Sequence, residues 1–546
     1  MNKPEQKNAG TGHKAWSLGR QETVLGVVLE AAEAAPDKVF LNFAGDPYTY
    51  AEAIREVSWI AAALKDRGVQ PGDVVASMLD TSPEAVWTWF AANAIGAIHY
   101  PMNTALKGEF LRHVLHESGA TVLVAEPDFV ARIVPLKPDL PMLKHLLLNG
   151  DAEIVGGVDG LLSSYRDLSA RLPATVFRSP SDVTCLVGTG GTTGPSKLCM
   201  IPENQMCDTS RRGLDNSGRA PDEIVWNCLP GFHVNQLLTI VGSAMFQSTG
   251  YLAKRFSLSG FWPEIESSGA RVVNVLGSMV SLIARMPDTP EMLRCHGQIR
   301  LAIGVPFPPE LQEIWRTRFG TEFAGGNAYG MTEAVGVTSA PISSSPPPGS
   351  AGRRNAHFDV RVIAGSGDEA EPGDVGEIVL RPNRPNIMFA GYWNNPEATM
   401  RASKDYWFHT GDFGRFDENG WLYFVDRSSD YIRRRGENIS SSEVERTMLT
   451  HPAIQEIAVH AVPSELTEDD VKFTVVGVSS TELSAEELFA WSVERLPYFA
   501  LPRYIEFRDA LPKSPLNKVL NTKLREEGVT AETWDREVAG VTFERR

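Results

Sequence analysis

An apolar segment at residues 183–187 leads directly into ten residues, 189–198, that are rich in glycine and threonine and contain one lysine. The apolar segment predicts a buried strand. Glycine exposes backbone N–H groups, which together with hydroxyl groups and a cation suit a polyphosphate. Because α/β proteins bind phosphates where a strand ends in a glycine-rich turn, this junction predicts an α/β fold with a phosphate site. The candidate phosphate-binding residues are Thr189, Gly190, Gly191, Thr192, Thr193 and Lys197.

The spacing in this loop differs from that of the P-loop NTPases. Their pattern places a lysine directly after a glycine, whereas Pro195 and Ser196 separate Gly194 from Lys197. A flexible linker is the alternative for a segment of this composition. The preceding strand favours the phosphate loop.

The periodicity around the loop predicts layered sheets. Helical and strand patterns alternate over residues 24–125 and return over 272–303, which favours a mainly parallel sheet covered by helices. A segment rich in serine and proline at 343–350 precedes short strands separated by turn residues, as in a β-rich subdomain. We expect a disordered tail at 1–14, an N-terminal domain of α/β/α layers plus the β-rich subdomain at 15–429, and a small α+β C-terminal domain at 430–546.

The net charge and the cysteine content exclude some classes of protein. The chain has 546 residues and a net charge of −16, which argues against general binding of nucleic acids or membrane surfaces but not against ATP. Five cysteines without a CxxC pair indicate reduced thiols. No apolar run reaches the roughly 18 residues of a membrane span. We therefore expect a cytoplasmic protein.

Two segments carry candidate nucleotide ligands. In residues 329–333 the ring of Tyr329 can stack on a base, Thr332 can donate to a phosphate, and Glu333 can hold Mg²⁺. Asp412 follows an aromatic strand, where a carboxylate can accept both ribose hydroxyls. Arg427 is placed to reach the sugar or the phosphates. The alternatives are an ordinary loop for 329–333 and a surface salt bridge for Arg427.

Two segments near the C-terminus have active-site and structural alternatives. Three arginines precede Gly436 within residues 431–445, which indicates either a solvated basic turn or a loop whose backbone lines a site while its arginines meet phosphate. Lys518 lies in a polar loop and is either a surface lysine or a cation that stabilises charge developing on an α-phosphate.

In this order and spacing, these segments resemble the acyl-adenylate-forming superfamily, which includes acyl-CoA ligases, over residues 22–525. The runs at 391–399 and 432–445 are most similar to the carnitine/crotonobetaine-type CoA ligases of bacteria. The resemblance implies ATP/AMP, Mg²⁺ and coenzyme A as cofactors and a carboxylic acid or its acyl-adenylate as substrate. It also implies a monomer or homodimer, in which a mobile C-terminal domain rotates between two half-reactions.

The resemblance also implies roles for individual residues. Lys518 serves adenylation, Gly436 lines the pantetheine tunnel, and Ser429 is the hinge. The base lies against Tyr329, and Glu333 binds the metal. The residues implied to contact the nucleotide further include Gly304, Val305, Pro306, Asn327, Gly330, Thr332, Asp412 and Arg427. His233 is the gate near the acyl carboxylate, and the implied acyl pocket also contains Val234, Asn235, Met279, Val305, Gly326 and Met331. Gly325 and Gly326 leave room there, which predicts a medium, bulky or elongated acyl group.

The phosphate loop departs from the pattern of this superfamily. Gly190 replaces a serine hydroxyl, Pro195 fixes φ at a new place, and Leu198 replaces a conformationally free glycine. Asn517 replaces the glycine before Lys518, which is a milder change. Three hypotheses follow: a ligase that performs both half-reactions, an enzyme that only converts a preformed acyl-adenylate from a separate adenylating enzyme to the thioester, or a non-catalytic acyl-adenylate-binding protein.

Overall fold

The computed structural model of the protein describes residues 22–150, 154–173, 176–189, 196–305, 307–427, 431–435, 437–464, 468–478, 483–512 and 519–543. The predicted tail at 1–14 and the predicted domain boundary at 428–430 lie outside these residues.

The strand before the phosphate loop belongs to a seven-stranded sheet. In spatial order the strands are Gly160–Leu161, His145–Leu148, Val122–Ala125, Val74–Met78, Ile98–Pro101, Val183–Thr189 and Lys197–Pro202. The first six are parallel, and the last is antiparallel to its neighbour. The predicted strand is confirmed, because Cys185, Leu186 and Val187 are buried. The loop therefore joins two antiparallel strands at a sheet edge.

A second seven-stranded sheet lies in the same domain. Its strands in spatial order are Phe323–Gly325, Leu301–Val305, Val272–Leu276, Val225–Asn227, Gly250–Leu252, Val39–Phe43 and Asp46–Thr49. Only the pairing with the edge strand Asp46–Thr49 is antiparallel among these described strands. The mainly parallel architecture predicted from the alternating pattern is confirmed.

Helices connect and cover these strands. The helix Pro83–Ala94 begins at the N-cap Ser82, whose side chain accepts a hydrogen bond from Ala85 N, and proline occupies its first turn. Its Trp87 and Phe90 pack against Phe40 of the second sheet. The helices of the domain are Val24–Ala34, Tyr50–Asp66, Pro83–Ala94, Gly108–Ser118, Val130–Ile133, Glu203–Ser217, Val234–Met245, Phe261–Ser268, Gly277–Ala284, Pro290–Arg294, Pro309–Phe319 and Pro396–Ala402.

Short antiparallel strands form the predicted β-rich region. Three of them, Ala328–Met331, Ala334–Ser339 and Arg353–Arg354, form one sheet. Another sheet contains Phe358–Ile363, Gly376–Pro382, Ser403–Lys404, Trp407–Phe416 and Leu422–Arg427. Along Trp407–Phe416 buried and half-buried residues alternate, which places Asp412 on the buried face with Phe408 and Thr410. The sequence pattern thereby directs a carboxylate inward.

The C-terminal residues form a smaller α+β domain. Its hairpin Tyr431–Arg434 and Glu437–Ser440 leads into the helix Ser441–Met448. A four-stranded sheet follows, with strands Ile454–Pro463, Asp469–Gly477, Tyr504–Phe507 and Trp534–Asp535. The helices Ala485–Arg495 and Asn521–Glu527 complete it. Across the described part of the chain, no helix combines the length and apolar character needed to cross a bilayer.

Candidate active site

The predicted base-binding and ribose-binding residues are in direct contact. The hydroxyl of Tyr329 donates a 2.7 Å hydrogen bond to Oδ2 of Asp412. The backbone N–H of Asp412 donates to Oγ1 of Thr410 at 3.0 Å. The Tyr329 ring lies beside that of Phe424, with centroids 6.3 Å apart and planes 28° apart. Two separate sheets therefore bring an aromatic face and a buried carboxylate to one place, as a nucleoside site requires.

The predicted metal ligand and the loop lysine lie on either side of Tyr392. Oε1 of Glu333 accepts a 2.8 Å hydrogen bond from the Tyr392 hydroxyl. Nζ of Lys197 lies 4.6 Å from the centroid of the Tyr392 ring. Burial lowers the pKa of Lys197, and the charge of Glu333 opposes that shift. Sequence reasoning missed Tyr392 as a site residue, although the run at 391–399 contains it.

The strand that carries Lys197 is bonded along both edges. One edge pairs with Val183–Thr189. On the other edge, Met200 N donates to Gly391 O at 3.0 Å and Trp393 N donates to Leu198 O at 2.8 Å. The position of Tyr392 is therefore tied to that of Lys197 through the backbone.

Leu198 does not have the effect expected from its substitution for glycine. It lies opposite Gly188 within the strand Lys197–Pro202, and its side chain is buried in the core. Its φ is not in the positive region that favours glycine. The expectation that leucine restricts a special backbone conformation here is wrong, because the position is ordinary strand.

Backbone packing explains Gly326, which was expected to open the acyl pocket, and Gly330, which was expected to contact the nucleotide. A Cβ on Gly326 would lie 2.2 Å from the carbonyl oxygen of Gly304. A Cβ on Gly330 would lie 2.4 Å from Gly336 N. Gly326 is therefore required by the approach of the neighbouring strand, and it does not by itself argue for a large acyl group. The Asn327 amide is also engaged, since Nδ2 donates to Ser350 O at 2.7 Å.

The predicted gate residue His233 caps the helix Val234–Met245. Its Nδ1 accepts a 3.2 Å hydrogen bond from Asn235 N. Burial lowers the pKa of His233 to about 4, and the charge of Arg433 adds to this shift. The imidazole is therefore neutral near pH 7. Val234 and Met331 pack against the core nearby, and the sulfur of Met279 contacts that of Cys228 at 3.7 Å.

The predicted pocket residue Asn235 of this helix belongs to a polar wall whose other members, Asn227, Thr239 and Asn274, sequence reasoning missed. Nδ2 of Asn227 donates to Oδ1 of Asn235 at 2.9 Å and to Oγ1 of Thr239 at 2.8 Å. Nδ2 of Asn274 donates to the same Thr239 hydroxyl at 3.1 Å. The asparagines lie on paired strands and on a helix, and these elements meet only in the folded protein.

The strands Val183–Thr189 and Lys197–Pro202 form an antiparallel pair that we call the phosphate hairpin. The two domains meet beside it. Oγ of Ser196 donates to Oε2 of Glu443 at 3.1 Å. Nδ2 of Asn103 donates to Oε1 of Glu437 at 3.2 Å. Burial raises the pKa of both carboxyl groups to about 7. We call the space between the domains, about 620 Å³ and partly open to solvent, the interdomain cleft. It is lined by residues that include Asn103, Phe110, Gly188, Thr189, Ser196, Phe232, Glu437, Glu443 and Phe499.

Several predicted site residues lie outside the described residues or have undescribed side chains. The predicted site residues outside the described ranges are Gly190, Gly191, Thr192, Thr193, Pro306, Ser429, Gly436 and Lys518. For Arg427 the structure gives only the backbone, which pairs with Asp412 across adjacent strands. Within the described ranges, no cluster of three His, Cys, Asp or Glu side chains is suited to a metal ion.

Family models and individual known proteins resemble this chain. A model of the AMP-binding enzyme family matches residues 28–393, and a model of the AMP-binding enzyme C-terminal domain matches 443–518. Feruloyl-CoA synthase of an Amycolatopsis species is 32% identical over 499 residues, 90% of this chain and 96% of that protein. Crotonobetaine/carnitine–CoA ligase of Shigella dysenteriae is 28% identical over 486 residues, 88% of this chain and 93% of that protein.

Solved structures also resemble the whole chain. A double mutant of o-succinylbenzoate CoA synthetase from Bacillus subtilis, bound to the product analogue OSB-NCoA, has a TM-score of 0.79 at 25% identity and covers 93% of this chain and 98% of its own. Amide bond synthetase from Marinactinospora thermotolerans also has a TM-score of 0.79 at 25% identity, covering 92% and 99%.

Proposed function

Because the chain belongs to the AMP-binding enzyme family and is an acid–thiol ligase of its acyl-CoA ligase group, we propose that it activates a carboxylic acid with ATP and transfers the acyl group from AMP to coenzyme A. The observation that carries this proposal is the convergence of Tyr329 on Asp412. It joins a surface for a base to an acceptor for ribose hydroxyls. The contact of Lys197 and Glu333 with Tyr392 supports an adjoining phosphate site.

Each nucleotide contact follows from the chemistry of these side chains. The Tyr329 ring stacks on adenine beside Gly304 and Val305, and Asp412 accepts the ribose hydroxyls. Lys197 and Thr332 contact phosphate oxygens. Glu333 fits Mg²⁺ because one oxygen already has a hydrogen-bond donor and the carboxylate keeps acceptor capacity. Glu333 would hold Mg²⁺, which would supply positive charge to neutralise phosphate oxygens.

The acyl group occupies the region beyond His233. A neutral imidazole next to the substrate carboxylate avoids a competing cation. Asn235 and Asn274 are half-buried, and they favour an acyl group that carries a hydroxyl, ether or carbonyl oxygen. This is our prediction for the substrate class, with medium or elongated acids among the candidates.

The C-terminal domain provides different residues to the two half-reactions. Lys518 stabilises charge during adenylation, and rotation about Ser429 brings the Gly436 face to the site for thioester formation. In the present orientation of the two domains, the Ser196 hydroxyl donates a hydrogen bond to Glu443. This contact supports our assignment of the orientation to the thioester-forming state. The similarity to the synthetase bound to OSB-NCoA agrees with this assignment.

The decisive experiment separates the half-reactions. Purified protein is assayed for acid-dependent ATP–pyrophosphate exchange and, in parallel, for thioester formation from synthetic acyl-AMP and CoA. We expect both activities with an acid that fits the site. Thioester formation from acyl-AMP without exchange for any acid would replace the proposal by the thioesterification-only enzyme. Loss of both activities would leave acyl-adenylate binding without catalysis.

Two variants and one control variant sharpen this experiment. Lys518→Ala should abolish exchange but preserve thioester formation from acyl-AMP, whereas Lys523→Ala on an exposed surface should change neither. Gly190→Ser restores a hydroxyl in the phosphate loop and should raise exchange, because one hydrogen bond to a charged group contributes about 1.5–3 kcal/mol.

A further inference from the structure

The interdomain cleft contains two carboxyl groups that the proposed nucleotide contacts do not use. Glu437 and Glu443 of the C-terminal domain line one wall. Gly188, Thr189 and Phe232 of the N-terminal domain line the same cleft, and Phe232 directly precedes the gate residue His233. A molecule that enters along the domain boundary therefore passes both carboxyl groups on its way to the acyl carboxylate.

The hydrogen bonds distinguish the two groups. Glu443 is held by Ser196, whose hydroxyl donates to Oε2 and whose backbone N–H also donates to the carboxylate. Glu437 accepts one bond through Oε1, from the neutral amide of Asn103. Among the described residues, Oε2 of Glu437 has no hydrogen-bond partner. Glu437 is also half-buried, so its free oxygen is available to a molecule in the cleft.

We propose that Glu437 is a catalytic base that accepts the thiol proton of coenzyme A. The inference rests on the proposed function. As the sulfur attacks the acyl carbon, its S–H bond breaks and the proton passes to Oε2 of Glu437. The S–C bond forms, the bond from the acyl carbon to the phosphate oxygen breaks, and AMP leaves with that electron pair. The proton returns to solvent when the cleft opens.

The electrostatic surroundings support this role. Burial raises the pKa of Glu437 to about 7, and the Asn103 hydrogen bond opposes the shift. A base with this pKa is ionised in a large fraction of molecules at neutral pH and still binds a proton well. Two other titratable groups, Tyr100 and Glu443, face the same cleft. Lys107 is the N-cap of the adjoining helix Gly108–Ser118, and His113 lies within that helix.

The test uses the full-length protein with synthetic acyl-AMP, so that adenylation does not enter the rate. Thioester formation at saturating CoA is followed from pH 5.5 to 9 for the wild type and for Glu437→Gln. The glutamine retains a carbonyl oxygen for Asn103 but cannot take the proton. We expect the wild-type rate to rise through an apparent pKa near 7. The variant should be slower by about 10²–10⁴-fold, without that rise.

Two further variants keep the test specific. Glu437→Asp should recover part of the rate and restore the rise near pH 7. Glu443→Gln in the same cleft should retain the rise, whatever its effect on the rate. The affinity of Glu437→Gln for AMP, measured by calorimetry, should equal that of the wild type, which verifies folding and the nucleotide site.

The outcomes separate the inference from the proposed function. If Glu437→Gln forms thioester at a rate within threefold of the wild type, or is slower but keeps the rise near pH 7, Glu437 is not the base. If the wild type forms no thioester from any acyl-AMP, the proposed function fails and the inference fails with it.

Discussion

The Tyr329 hydroxyl and the Asp412 carboxylate are joined by a 2.7 Å hydrogen bond. Both side chains are largely buried, with exposed fractions of 8% and 2%. The bond joins side chains from two different β-sheets. The hydrogen bond therefore fixes the orientation of the carboxylate, and the ring is held by its hydroxyl end.

Removing this hydroxyl should weaken nucleotide binding. Tyr329→Phe keeps the aromatic face but removes the hydrogen bond that the hydroxyl donates to Asp412, and a hydrogen bond to a charged group is worth about 1.5–3 kcal/mol. We expect the Kd for AMP, measured by calorimetry, to rise by about 10- to 100-fold. Tyr406→Phe is the matched control, because Tyr406 is 95% exposed. An unchanged Kd in Tyr329→Phe would show that the bond does not organise the site.

The bond between Tyr392 and Glu333 should govern the response to Mg²⁺. Tyr392→Phe removes the donor to Glu333 but retains the ring beneath Lys197. We expect the Mg²⁺ concentration for half-maximal ATP–pyrophosphate exchange to increase, because the carboxylate loses its orientation. Tyr392→Leu removes the ring as well and should also raise the KM for ATP. Identical Mg²⁺ dependence in the wild type and Tyr392→Phe would contradict this role for the hydroxyl.

Ser196 should stabilise the present domain orientation through Glu443. Ser196→Ala removes the 3.1 Å hydrogen bond across the domain boundary. A bond of this kind contributes about 0.5–1.5 kcal/mol, so the docked population should fall by about 2- to 10-fold relative to other orientations. Distances between spin labels on the two domains report this population. Ser181→Ala, at an exposed position within the N-terminal domain, should leave the distances as they are.

Acid should destabilise the protein partly through His99. Burial lowers the pKa of His99 to about 3, and its Nε2 lies 2.8 Å from Ser77 Oγ. The unfolded chain binds a proton near pH 6.5, whereas the folded protein does so only near 3. His99 therefore makes its full contribution to the free energy of unfolding above pH 6.5. This contribution is lost as the pH falls toward 3, at up to about 1.4 kcal/mol per pH unit.

Denaturant titrations at pH 7, 6 and 5 measure this effect. His99→Gln should have a shallower dependence of unfolding free energy on pH than the wild type. His116→Gln, at an exposed helical position, should have the wild-type dependence. Equal slopes for the wild type and His99→Gln would mean that other groups dominate acid unfolding.

Local sequence patterns were sufficient to predict features whose residues lie close together in the sequence. The strand before the phosphate loop could be predicted because its buried residues are consecutive. Tyr329 and Glu333 could be assigned to one candidate site because a five-residue segment carries both side chains. In contrast, Asn103 and Glu437 are 334 positions apart, and no local pattern relates them. Tyr392 and Asn274 were missed for the same reason, since only the folded chain gives them their partners.

The errors also have a common physical origin. Leu198 was interpreted from the conformational freedom of the glycine it replaces, and Gly326 from the room that its missing side chain leaves. The structure shows that the neighbours decide both positions: Leu198 is an ordinary strand residue with a buried side chain, and Gly326 is pressed against Gly304 O. Whether glycine is needed depends on what approaches the missing Cβ, which the sequence around one residue does not reveal.

The two-sided bonding of the strand Lys197–Pro202 divides the phosphate hairpin into regions with different tolerance to insertion and deletion. Successive side chains of a strand point to opposite faces, so a single residue inserted after Lys197 within this strand would shift its register and disrupt its alignment with Tyr392. A residue inserted at the tip, between the paired strands, leaves that register intact. Changes in length should therefore accumulate at the tip of the hairpin, whereas its paired stem should keep a constant length.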